Sequence, residues 1–211
     1  MMSKQGILTV VSGFSGAGKG TLMKALLKKY DYGLSISATT RAPRVGEEDG
    51  REYFFLTRER FESMIEQGEL IEWAEYVGNY YGTPKKYVEE QLAAGKDVIL
   101  EIEVQGAFHV RKQFPDALLL FITPPNAIEL KNRLINRGTE DMDKIERRLN
   151  RASEEVAFMK EYDFIVVNDD LDECVERLNE IIENEHSRTL RNDSFIEKMS
   201  NELMAFKKGD L

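Results

Sequence analysis

Short apolar runs alternate along this chain with stretches of helical period. Residues 6–12 (GILTVVS) are apolar and β-branched, which predicts a buried strand. A glycine-rich loop follows. Leu22, Ala25 and Leu26 within 21–29 then predict a helix that closes on Lys28 and Lys29. Residues 33–37 predict a second short strand. Residues 52–56 and 69–77 predict strands around a helix at 58–67, which Gly68 stops. The GNYYG run at 78–82 carries turn signals, and Thr83-Pro84 reads as a cap plus first-turn proline opening a helix that ends near Gly95. Residues 97–102 and 117–122 predict two more strands with a helical segment between them. Residues 126–136 predict a helix, and 141–160 a long one with Ile145, Leu149, Ala152, Val156 and Met159 on one stripe. Residues 163–167 and 171–185 supply a last strand and a last helix.

Strands alternating with helices predict an α/β fold of three layers, a parallel sheet between helices on both faces. The 38–83 region breaks that rhythm and predicts an inserted subdomain of mixed strands. Its polar stretch at 38–51 is long for a plain connector, which points to function. The main domain is expected over 1–187. In the tail, 188–211, Ile196, Met199, Leu203 and Phe206 fall at helical spacing, so a docked helix, a self-associating helix and a frayed end all stay open. Trp73 reads as core. Cys174 shares helical spacing with Leu171, Val175 and Leu178 and reads as a core thiol.

Composition narrows the chemistry. One cysteine excludes an internal disulfide, and His109 and His186 stand far apart, outside any metal-ligand spacing. No apolar run approaches a membrane span and no signal segment is visible, so a cytoplasmic protein without a membrane partner is expected. The net charge of -9 argues against a nucleic-acid partner. If the ligand is a small anion, positive charge must be gathered locally against the overall field.

Gly13-Phe14-Ser15-Gly16-Ala17-Gly18-Lys19-Gly20-Thr21 gathers it. The segment matches GxxxxGK between a predicted strand and a predicted helix. Glycines let successive backbone N–H groups converge on phosphate oxygens, the helix adds the positive end of its dipole, and Lys19 adds a point charge. Gly20 stands where Ser or Thr usually follows the lysine, so the hydroxyl is displaced to Thr21.

Arg41 and Arg44 lie three apart beside the hydroxyls of Ser37, Thr39 and Thr40, and Tyr53 follows. Arginine forks grip phosphate bidentately and a tyrosine hydroxyl completes such a shell, though solvated loop arginines fit the same pattern. Arg133 and Arg137 share a helix face. Arg148 lies at the margin of the apolar stripe of 141–160, whereas Arg147 points away from it; surface ion pairs with Glu140, Asp141 and Asp143 are the alternative role.

The run SATTRAPRxGExxGxEY, then IEWAEYxGNYYGT at 71–83 and IEVQG at 102–106, resembles the guanylate kinase family. So do GFSGAGKGT, Arg137-Gly138-Thr139-Glu140 and Val167-Asn168-Asp169-Asp170. The resemblance runs from about residue 6 to residue 185. It implies a P-loop core with a helical lid over about 133–150 and transfer of the terminal phosphoryl of ATP to GMP or dGMP. Lys19, Arg41, Arg44, Arg137 and Arg148 would carry the catalysis. The loop 13–21, Arg133, Arg137, Asn168 and Asp169 would hold ATP. Ser37, Arg41, Arg44, Tyr53, Glu72, Tyr81, Thr83, Glu103 and Arg148 would hold GMP. Mg²⁺ would bind through ATP phosphates and water, with Thr21 and Glu101 as the protein-side candidates. Glu101 and Glu103 stand where the family more often has aspartate. The other function compatible with the resemblance is a non-catalytic phosphopeptide-binding module. For guanine, an ionised Glu72 accepts from both N1–H and the 2-amino group, whereas adenine presents an unprotonated N1.

Overall fold

A computed structural model describes residues 5–76, 78–136 and 142–207. Five parallel strands form the main sheet: β1 (Leu8–Gly13), β2 (Gly33–Leu34), β7 (Val98–Glu101), β8 (Leu118–Thr123) and β9 (Phe164–Val167), in the order β2-β7-β1-β8-β9. Every residue of β1, and every residue of β8 but the last, is buried. Parallel strands covered on both faces need apolar side chains throughout, which is why these runs read as unbroken stretches and not as alternations.

A second sheet of four strands carries β3 (Ala38–Thr39), β4 (Phe54–Phe55), β5 (Leu70–Tyr76) and β6 (Asn79–Pro84), in the order β4-β3-β6-β5. It is mixed: β3 runs parallel to β4 and antiparallel to β6, and β5 and β6 form an antiparallel pair. Helix α2 (Arg58–Glu66) covers it, with Phe61 and Met64 packed on Ala38 and Leu70 in a small core of their own. Thr57 caps α2 by accepting from the Arg60 N–H.

Helices α1 (Lys19–Lys29), α3 (Lys85–Ala93), α4 (Val104–Gln113), α5 (Ala127–Asn136), α6 (Met142–Glu155) and α7 (Leu171–Glu185) surround the main sheet. The α6 stripe is shorter than the expected 141–160, because a 3₁₀ turn over Val156–Glu161 takes the chain to β9. The strands expected over 33–37 and 52–56 shrink to two residues each, since only those residues find a neighbouring strand.

Three expectations are corrected. GNYYG is a turn only at Gly78, whose φ is 74°; Asn79–Gly82 form most of β6, because β3 and β5 flank that strand. Thr83 does not cap α3; it is fully buried in β6, and Pro84 stands at the N-cap without a side-chain bond. Trp73 is not core. It is 45% exposed at the margin of the face that α2 covers, its ring edge-on to Tyr80, which itself stacks on Phe61.

Cys174 is buried, and burial pushes its thiol up to about 11. Arg188 and Arg191 belong to the main body, because both pair with the buried Glu185, at 3.0 and 2.9 Å. A last helix, α8 (Asp193–Lys207), leaves Phe195, Ile196, Met199, Leu203, Met204 and Phe206 exposed, so it is neither frayed over those residues nor docked on its own domain through them.

Candidate functional site

The loop between β1 and α1 is shaped by glycine. Gly13 has φ 149° and lies so close to β8 that a Cβ would come within 2.0 Å of the Ile122 carbonyl oxygen. Gly18 has φ 89° and is the N-cap of α1, with no side chain capping it and no acid in the first turn. The first N–H groups of α1 therefore meet the loop without an internal anion. Lys19 folds back over the loop, its Nζ donating to the Gly13 carbonyl at 2.7 Å and the Phe14 carbonyl at 3.2 Å.

The loop is braced from behind. Asn168 is 6% exposed; its amide donates to the Ala17 carbonyl at 2.8 Å, while its own carbonyl accepts from Arg133 at 2.9 Å. Arg133 is further held by Glu129 at 2.7 Å. Both residues thus touch the loop's support, whereas Asp169 lies exposed beside them. From α6, the half-buried Arg148 donates to the Ser15 hydroxyl at 2.7 Å, and its neighbour Arg147 is exposed. Arg137 lies outside the described residues, as do Gly138 to Asp141.

Glu101, at the end of β7, approaches the loop. A Cβ on Gly20 would stand 4.0 Å from its Oε1, so the missing side chain at Gly20 leaves room that this carboxylate borders. Desolvation raises the Glu101 pKa, and the positive charge of Lys19 opposes that shift.

The second cluster sits on the four-stranded sheet. Arg41 lies over the rings of Tyr53 and Phe55, and Tyr53 meets Tyr81 edge-on at 6.1 Å. Arg41 Nη2 donates to both oxygens of Glu47, at 3.0 and 2.9 Å, its Nη1 donates to the Ala42 carbonyl at 2.7 Å, and the Arg44 N–H donates to the Glu47 carboxylate at 2.7 Å. That backbone bond and the Arg41 guanidinium hold the Glu47 carboxyl below its ordinary value. The Arg44 side chain is exposed, and Ser37 is half-buried just before β3.

Glu72 and Thr83 face one another across β5 and β6, the Thr83 hydroxyl donating to Glu72 Oε1 at 2.8 Å. Burial raises the Glu72 pKa and the Thr83 hydroxyl lowers it. A Cβ on Gly106, in the first turn of α4, would lie 3.6 Å from Glu72 Oε2. Glu103 is the N-cap of that same helix. The base-reading candidates thus converge on one end of α4.

A family model described as guanylate kinase matches residues 5–185. The chain belongs to the guanylate kinase family. It is 53% identical to a guanylate kinase of Listeria innocua over 194 residues, spanning 90% of this chain and 94% of that one. It is 52% identical to a guanylate kinase of Streptococcus mutans over 203 residues, spanning 95% and 97%. Among solved structures it is similar to the guanylate kinase of Anaplasma phagocytophilum, with a TM-score of 0.69 and 33% identity over 89% of this chain and 90% of that one.

Within this guanylate kinase fold, Glu47, Arg151 and Glu155 are polar groups that local pattern did not single out. Glu47 sits inside the RxGExxG run, and its only sequence signal was that position between two arginines. Arg151 and Glu155 carried no signal, since both read as solvated residues of a charged helix. Among the described residues no helix is long and apolar enough to cross a membrane.

Proposed function

We propose that this chain transfers the terminal phosphoryl group of ATP to GMP, giving ADP and GDP, with dGMP as a further acceptor. An oxygen of the acceptor phosphate attacks the γ-phosphorus, the bond to the β-γ bridging oxygen breaks, and ADP leaves with that oxygen. A nucleoside monophosphate is largely ionised near neutral pH, so no side chain has to remove a proton. Alignment and charge neutralisation suffice.

Lys19 and the N–H groups at the start of α1 receive the donor phosphates. Arg41, Arg44, Tyr53 and Tyr81 receive the acceptor phosphate, and Ser37, Glu72, Thr83 and Glu103 surround the base. Arg148, with Arg137 and Arg133, neutralises charge from the lid side. Asn168 holds the loop's backbone, and Asp169 lies at its rim toward the donor base. Mg²⁺ supplies charge neutralisation on the transferring phosphates when bound. Thr21 and Glu101 fit it as hard oxygen donors beside the loop, directly or through water.

The observation that carries this reading is the half-buried, acceptor-only carboxylate of Glu72, oriented by the hydroxyl that Thr83 donates to it, in a chain that also holds an intact phosphate loop. A phosphopeptide-binding module would need neither the loop lysine nor the arginine that α6 extends to that loop. A coupled assay of ADP formation across a panel of nucleoside monophosphates tests it. Turnover is expected with GMP and dGMP and not with AMP, CMP or UMP; equal turnover with AMP would overturn it.

The compartment expected is the cytoplasm, and nucleic acid is not an expected partner of a chain this acidic. The tail helix α8 is the surface for self-association with a second copy. An isolated helix of 15 residues is marginal in water, and its exposed apolar side chains need cover.

A further inference from the structure

Helix α6 sends two arginines, one turn apart, to two different places. Arg148 reaches the phosphate loop at Ser15. Arg151 reaches the start of α4, its Nη2 donating to Glu103 Oε2 at 3.3 Å. The same guanidinium donates through Nε to Glu155 Oε1 at 2.9 Å. Glu155 is 7% exposed, and a carboxylate so placed needs a charged partner. Arg151 is thus anchored on one side and extended on the other.

Glu103 is diverted toward it. The Glu103 side chain makes no bond to the first turn of α4, which it precedes as the N-cap residue, and its carboxylate meets Arg151 instead. A cavity of about 430 Å³ lies between α4 and α6, walled by Val104 and Gln105 on one side and Asn150, Arg151 and Phe158 on the other. The Arg151–Glu103 pair joins the two walls.

We propose that Arg151 is a positioning residue: anchored by Glu155, its guanidinium fixes Glu103 at the start of α4, the end that Glu72 approaches at Gly106, so that the acceptor's base is read in part from the lid helix. This rests on the reading of Glu72 and Glu103 as base-facing residues. A carboxylate has two oxygens, and with Oε2 held by Arg151, Oε1 stays available to a base donor. The planar fork serves both carboxylates at once, whereas a lysine point charge at 151 satisfies Glu155 but does not orient Glu103. The extra carbon that places Glu103 within reach of α6 is the one by which it exceeds aspartate.

Steady-state kinetics of the full chain, with Arg151→Lys, Glu103→Ala and the double variant, tests this. Both partners are largely exposed, so Arg151→Lys should raise the KM for GMP by about threefold. The KM for ATP and kcat should not change, and the double variant should match Glu103→Ala alone. If Glu103→Ala raises the KM for GMP but Arg151→Lys does not, or if the two effects multiply, the proposal falls and the acceptor reading survives. If Glu103→Ala has no effect, the base-facing role of Glu103 falls and takes the proposal with it. A lowered melting temperature with equal losses for both substrates would make Arg151 a structural brace and overturn its positioning role.

Discussion

Replacing Glu72 by glutamine keeps its shape and removes one acceptor. In the parent, Oε1 takes the Thr83 hydroxyl at 2.8 Å, and the ionised group still has lone pairs for guanine N1–H and the 2-amino group. In Glu72→Gln, an amide oxygen left on Thr83 turns an NH₂ toward two donors, and the flipped amide turns that NH₂ toward the Thr83 hydroxyl. A hydrogen bond to a charged group contributes about 1.5–3 kcal/mol, and a buried group left unsatisfied costs about 1–3 kcal/mol. A combined loss of about 3–4 kcal/mol lowers kcat/KM for GMP roughly 150- to 900-fold. Adenine's N1 accepts from the new NH₂, so the gap between GMP and AMP narrows as well. The coupled ADP assay with both nucleotides reads the effect, and an unchanged ratio of the two kcat/KM values would refute the role of Glu72. The same variant reports on burial. Desolvation raises the folded-state pKa of Glu72 above its ordinary 4.5, so between 4.5 and the raised value the folded chain binds more protons than the unfolded one. Stability contributed by this group is therefore lost as pH rises through that window. Glu72→Gln should melt above the parent at pH 7, with this difference vanishing below pH 4.5. A variant that melts lower at pH 7 would contradict the desolvation argument.

Three further outcomes are expected. Lys19→Ala removes the loop's point charge and should lower kcat at least about a hundredfold; near-normal kcat would reject its role. Asn168→Ala removes the amide that holds the Ala17 carbonyl, and should raise the KM for ATP while costing about 1–2 kcal/mol in chemical denaturation; an unaltered KM for ATP would leave Asn168 without a part in shaping the loop. Removing residues from 193 onward should lower the mass seen by light scattering while leaving the melting temperature of the body unchanged, and an unaltered mass would exclude α8 as an interface.

The phosphate loop was legible because it is contiguous. GxxxxGK, the apolar run before it and the helical stretch after it lie within about two dozen residues, and the chemistry of glycine, lysine and helix N-terminus acts locally. The parallel core was legible for a related reason: strands buried on both faces need unbroken apolar runs, as β1 and β8 have. The residues proposed for the acceptor side came as a set from a long, ordered resemblance to one family, which carried no information on their arrangement.

What the tertiary structure decided are the partnerships. Antiparallel register brings Thr83 opposite Glu72 across 11 residues of chain, which made a supposed helix cap into a buried hydroxyl donor. Pairing on both sides made Asn79–Gly82 strand and left only Gly78 of GNYYG in the turn, because the backbone bonds of a central strand outweigh local preference. Trp73 shares the face of Tyr80 and Phe61 yet stays 45% exposed, because how far α2 reaches over that face, and not the residue's own hydrophobicity, sets its burial. Asn168 reaches Ala17 across 151 residues and Arg151 reaches Glu103 across 48. Such contacts leave no periodic trace in a sequence. They arise where two elements meet, and where elements meet is set by packing the whole chain around one core.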